Sequence, residues 1–176
     1  GKNSNHAFMI VDIDNFKDVN KKLGNLFGDA VLINISDNLK KIFYKSDIVG
    51  RVGGDEFLIF IKNTNNVRML IDKTEDIREI VRNTYVGEDN DNSISCSIGI
   101  TLYPDDGTTF EELFRNADMA LYKAKFLGKD RYEFYNKEFL KDMDNGGKFY
   151  NDYKIDSSTR KGLNSFDREI TTFAFD

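Results

Sequence analysis

Residues 93–103, SISCSIGITLY, alternate without a break: Ile94, Cys96, Ile98, Ile100 and Leu102 share one face, and small or polar residues share the other. A period of two is that of a β-strand. A strand with one apolar face belongs in a sheet whose apolar side is covered by a second layer. The rest of the chain supplies that layer and the other strands. AFMIVDI (7–13) is a short continuous apolar run closing in acid, as expected of a strand buried on both faces. DIVGRVG and EFLIFI read as two further strands joined at a glycine-acid turn, and RYEFY as a last short one.

Four segments carry helical spacing. NFKDVNKKLGN predicts a short helix with Phe16, Val19 and Leu23 facing in and Gly24 ending it. FGDAVLINISDNLKKIFYKSD predicts a long one with Phe27, Val31, Ile35, Leu39 and Ile42 on its inner face. Residues 65–85 place Val67, Leu70, Ile71, Ile77, Ile80 and Val81 near helical period. After the sole proline, in YPDDG, Thr109 and Glu112 form a capping-box pattern. The helix behind it carries Phe110, Leu113, Phe114, Ala117, Ala120, Leu121 and Ala124, and Gly128 closes it.

The order β-α-α-β-β-α-β-α-β predicts an α+β fold: a ferredoxin-like palm, its central, mainly antiparallel sheet flanked by helices. The first strand lies mid-sheet with the glycine-acid hairpin as neighbour. The domain is expected to occupy 1–135. From about 136 to 176 the pattern loosens into a linker or the start of a further module, with a short helix expected at 165–173.

Composition narrows the function. The net charge of −5, with basic and acidic residues interspersed, argues against a nucleic-acid polymer as partner. No apolar run approaches the roughly 18 residues of a membrane span, so no membrane contact by this segment is expected. One cysteine, Cys96, excludes an intrachain disulfide and suggests a reducing, cytoplasmic setting, even for a parent protein attached to a membrane.

The chemistry gathers around RVGGDEF, 51–57. The first strand ends in Asp12-Ile13-Asp14 and the hairpin tip presents Asp55-Glu56, so carboxylates from two segments converge. Like charges that close raise one another's pKa unless a cation sits between them. Hard oxygen ligands of this kind suit Mg²⁺, which fills its remaining positions with water and phosphate oxygens. Gly53 and Gly54 let backbone approach a ligand closely. The stretch is equally compatible with an ordinary hairpin whose acids are solvated. Lys17 and the amides of Asn15 and Phe16, at a helix start, offer a phosphate site. Asn20 and Asp29 pair an amide with a carboxylate, complementary to the edge of guanine. Lys125 and Lys129 end the last long helix, where cations favour the dipole whether or not a phosphate is present.

The stretches D-I-D-x-F-K-x-x-N-x-x-x-G at 12–24, GD at 28–29, RVGGDEF, SIGI at 97–100 and ADMALYKAKFLGKD at 117–130 together resemble the GGDEF family of diguanylate cyclases. The resemblance spans about residues 7–135. It implies an enzyme that condenses two GTP into cyclic di-GMP and two pyrophosphates with Mg²⁺ (or Mn²⁺), as a homodimer in bacterial signalling. The alternative is a silent GTP-binding module that regulates a neighbouring domain.

Carried over by position, Asp12, Asp55 and the Ile13 carbonyl are the metal ligands. Asp55 or Glu56 assists deprotonation of the 3′-hydroxyl. Asn15, Phe16 and Lys17 hold phosphate, Asn20 and Asp29 read the base, and Lys125 and Lys129 reach the triphosphate. The resemblance also implies a longer parent with sensory or effector domains, since a helix and a DxLTGLxNR stretch usually precede the first strand. Asp130 stands where Asn is more usual. The product-sensing RxxD reads YKSD here: Tyr44 replaces the arginine and Asp47 remains, so this inhibitory site is degenerate. Restoring arginine at 44 is expected to recover some product affinity.

Overall fold

A computed structural model describes residues 4–84, 93–141 and 170–172. The strand buried on both faces is β1 (His6–Ile13), and it lies inside the sheet between β3 (Glu56–Ile61) and β4 (Cys96–Tyr103), antiparallel to both. Beyond β3 comes β2 (Ile48–Val52), and beyond β4 the parallel β5 (Arg131–Phe134). The sheet order is β5-β4-β1-β3-β2-β6, where β6 is Ile170–Thr172. The chain is thus the expected α+β palm, with one strand more than the spacing announced.

Each side of the sheet has its own helical layer. Met9, Val11, Phe57, Ile59, Ile98 and Ile100 pack beneath α2 (Asn25–Ile42) and α3 (Val67–Thr84), which contribute Ile35, Leu39, Ile77 and Val81. The short α1 (Phe16–Leu23) joins this layer through Phe16 and Val19. On the other side, Phe8, Ile10 and Leu58 meet α4 (Phe110–Phe126) through Leu113, Ala117 and Leu121. Gly99 makes that approach possible. A Cβ there would stand 2.0 Å from the Ala117 carbonyl oxygen and 2.5 Å from the Leu121 nitrogen, closer than real Cβ contacts come. The capping box of α4 is complete. Glu112 N–H donates to Thr109 Oγ1 at 3.2 Å, and the Glu112 carboxylate accepts from Thr109 N–H at 3.3 Å.

Four residues expected to face inward are exposed: Leu23, Phe27, Val67 and Phe110. Each stands in the first or last turn of its helix, open to solvent on one side, although Phe110 keeps an edge-on contact with Phe8 of β1. The helix expected at 165–173 is also corrected, because Ile170–Thr172 are strand, paired antiparallel to β2 (Val52 opposite Ile170). Ile-Thr-Thr is β-branched throughout and suits a pleated edge, and an outer strand offers unpaired backbone groups to any extended segment. The rest of that expected helix lies outside the described residues.

Candidate active site

The antiparallel register sets Asp12 at the end of β1 directly opposite Glu56 at the start of β3. Ile13 N–H then donates to the Asp55 carbonyl at 3.0 Å, which locks the hairpin tip against the end of β1. The tip turns on Gly53 (φ 57°) and Gly54 (φ 54°), two successive left-handed residues, a conformation that favours glycine. A Cβ at either would meet nothing within 4 Å, so it is the backbone angle, and not crowding, that requires glycine there.

The acids converge as the sequence implied. Burial pushes the Asp55 carboxyl up from its ordinary value, and the charge of Asp12 pushes it further. Lys125 and Lys17 act in the opposite sense. Lys125 reaches across from α4 to pair with the Asp12 carboxylate. A half-buried carboxyl whose proton affinity is raised by burial and by a second carboxylate beside it is, with that neighbour, a fit donor set for a divalent cation whose other positions go to phosphate and water. Among the described residues no three His, Cys, Asp or Glu cluster into a protein-only metal cage. Mg²⁺ does not need such a cage, since it is ordinarily held by one or two carboxylates plus substrate oxygens.

Asp14, grouped with these acids in the sequence, turns the other way. It is buried and accepts from Ser95 Oγ and Ser97 Oγ, both at 2.7 Å, and from Asp130 N–H at 3.0 Å. Its charge is spent on tying the end of β1 to β4 and to the turn before β5. The small polar face of 93–103 was the signal for those serines.

Asn15 precedes α1 in the left-handed region at φ 54° and gives the helix no side-chain cap. Its Oδ1 instead accepts from Lys129 Nζ at 2.8 Å, so the first-turn amides at Phe16 and Lys17 have no side-chain oxygen to bind. Phe16 itself is core. Asn20 Oδ1 is buried and has no partner. It owes its place to Gly28, where a Cβ would stand 1.9 Å from it. An orphaned buried acceptor costs about 1–3 kcal/mol unless something donates to it. Asp29, next along α2, is exposed.

One end of the central strands therefore gathers Asp12, Ile13, Asn15, Lys17, Asp55, Glu56, Lys125 and Lys129, with Asn20 on α1 and Asp29 on α2 following in the adjoining helices. Tyr44 and Asp47 lie elsewhere, at the opposite end of the β2–β3 hairpin, about 17 Å of strand away. Asp47 is 4% exposed and accepts from Tyr44 N–H at 3.0 Å and Lys62 N–H at 3.1 Å. Tyr44 is 71% exposed. Sequence reading missed Arg78 and Arg82 of α3. Both bind the Asp130 carboxylate, at 3.1 and 3.2 Å.

A family described as "Diguanylate cyclase, GGDEF domain" matches residues 1–131. Over 131 residues, 73% of this chain, it is 36% identical to the bifunctional diguanylate cyclase/cyclic di-GMP phosphodiesterase MucR of Pseudomonas aeruginosa. Over 134 residues, 76% of this chain, it is 31% identical to the cyclic di-GMP phosphodiesterase NbdA of the same organism. The chain spans 19% and 17% of those relatives' lengths. Among solved structures, the GGDEF domain of TpbB from Pseudomonas aeruginosa superposes with a TM-score of 0.71 at 29% identity. The match covers 80% of this chain and 83% of that one.

Proposed function

The chain belongs to the GGDEF family of diguanylate cyclase domains, and on that premise we propose that it condenses two GTP into cyclic di-GMP and two pyrophosphates. The family places it in cyclic di-GMP signalling. The turnover is our reading, and one observation carries it. Asp12 at the end of β1 and Asp55 at the hairpin tip stand close enough to act on each other's charge, with Lys125 already on Asp12, and the Asn20 oxygen of α1 has no partner.

In this reading Asp12, Asp55 and the Ile13 carbonyl hold Mg²⁺, which supplies positive charge where the transferring phosphate develops negative charge. The protein's own part is positioning and electrostatics. The amides at Asn15, Phe16 and Lys17, with the Lys17, Lys125 and Lys129 ammoniums, grip the triphosphate. Lys125 exchanges the Asp12 carboxylate for phosphate oxygen when the nucleotide arrives.

Asn20 and Asp29 accept from the N1–H and N2–H₂ of guanine, donors that adenine does not present together. A site built on such bonds rejects the mispaired base by orders of magnitude. The 3′-hydroxyl proton passes to Asp55 or Glu56. One site holds one GTP while the product needs two phosphodiester bonds, so two copies must face each other about a two-fold axis.

The test is product formation from GTP and Mg²⁺ by the chain fused to a forced dimer, with ATP as control. Cyclic di-GMP from GTP alone, at a specific activity that rises with protein concentration in the unfused chain, is expected. GTP binding without product would instead favour the regulatory reading, for which the likeness to the phosphodiesterase NbdA is the supporting observation.

A further inference from the structure

The turn that carries Lys129 is the least relaxed backbone beside the site. Gly128, Lys129 and Asp130 follow one another at φ 118°, 64° and 48°. Glycine takes such angles freely, whereas a side chain crowds the backbone there. Aspartate offsets some of that crowding through local hydrogen bonds, and lysine has no short polar group with which to do so. Two such residues in succession persist only where surrounding structure holds them.

The hold comes from α3. Arg78 donates to the Asp130 main-chain carbonyl and, at 3.1 Å, to its carboxylate. Arg82 donates to both carboxylate oxygens, at 3.2 and 3.3 Å. Glu75 steadies the Arg78 guanidinium at 2.9 and 2.7 Å, and the Arg78 side chain is only 16% exposed. From the opposite side Asp14, itself fixed by Ser95 and Ser97, accepts the Asp130 N–H. The residue between this clamp and the helix end is Lys129, whose Nζ reaches Asn15 at the start of α1.

We propose that Arg78, seconded by Arg82, is a positioning residue for triphosphate binding: by clamping Asp130 it holds the left-handed turn that aims Lys129 at the phosphates. The inference rests on the reading of this site as a GTP site. It also gives the aspartate at 130 a use. An asparagine would present Arg78 with a neutral acceptor, but only a carboxylate brings the second arginine into the clamp.

A merely structural staple between α3 and the β5 turn would lower stability without distinguishing one ligand from another. Calorimetric titration of GTP and of guanosine, each with Mg²⁺, into the full chain separates the two. Arg78→Met is expected to weaken GTP about tenfold, the scale of one misplaced charged contact. Guanosine, which has no phosphate for Lys129 to reach, should bind as before. Amide exchange at Asp130 should quicken in the same variant.

Adding Asp130→Gly to Arg78→Met should restore most of the GTP affinity, because glycine adopts φ near 48° without a clamp. Should Arg78→Met fail to fold, Arg78→Lys keeps the charge and the stem but loses the fork. It should still weaken GTP several-fold more than guanosine. Equal losses for GTP and guanosine, or a GTP affinity within about twofold of wild type, would overturn the clamp alone. A wild-type chain that binds guanosine no less tightly than GTP would overturn the triphosphate reading with it, and shows before any variant is made.

Discussion

The β2–β3 hairpin carries an aspartate at each end, and the two are in opposite condition. Asp47 is buried with both carboxylate oxygens taken by backbone N–H groups. Asp55 is half-buried, with its carboxyl raised by desolvation and by the neighbouring charge of Asp12. The same side chain thus serves as a turn fastener at one end and stands unneutralised at the other. The contrast repeats within β1, where Asp14 is satisfied three times over and Asp12 relies on a lysine from across the sheet. Folding selects the first arrangement. The second works against stability, and carboxyls raised in this way cluster at functional sites.

The largest effect belongs to Asp12 and Asp55. Asp12→Asn and Asp55→Asn should each lower cyclic di-GMP formation by about 100- to 1000-fold, the loss seen when a principal electrostatic group is removed, while circular dichroism stays native. Activity near wild type in either variant would erase the contrast at its chemical end.

Stability should move in the opposite pattern. Asp47→Ala removes the charged acceptor of two part-buried backbone N–H groups and is expected to cost about 1–3 kcal/mol. Asp14→Ala should cost a similar amount. Asp55→Asn should hold or raise the melting temperature of the ligand-free chain. Denaturant titration of the three decides it, and a destabilised Asp55→Asn would mean that Asp55 is as structural as Asp47.

The pH dependence sharpens this further. The folded Asp55 carboxyl lies above its ordinary value of 3.8, so in that interval the folded state binds more protons than the unfolded one. Stability from this group is therefore present below about pH 4 and falls as pH rises through the folded value. Melting curves of wild type and Asp55→Asn should coincide at the acid end and separate in favour of the variant towards neutrality. Curves that separate the other way would reverse the sign assigned to the site.

The smallest effect is expected at Tyr44. With Asp47 committed to the backbone, arginine restored at 44 gains one exposed charged contact and no ready partner, so cyclic di-GMP affinity should rise less than about tenfold. Micromolar product should not inhibit the wild type. Tight product binding by the wild type that Asp47→Ala abolishes would show that Asp47 leaves its turn when product arrives.

The sequence by itself determined the order of elements, because periods of two and of 3.6 are local properties of neighbouring residues. It determined the chemical inventory as well: the RVGGDEF turn, the lysines of the last helix, and the amide and acid of the first two helices stand in recognisable order. Tertiary structure alone decided which of these groups are satisfied. Asp12 and Asp14 sit two positions apart and look alike, yet one faces the hairpin and the other serines 81 and 83 residues on.

Arg78 resembles any helix-surface arginine until α3 is laid against a turn 52 residues away. Ile170–Thr172 read as a short helix until an unpaired strand edge lies beside them. Hydrogen bonds and ion pairs depend on separations of a few ångströms in space, and such distances between residues far apart in the chain are set only when the layers pack.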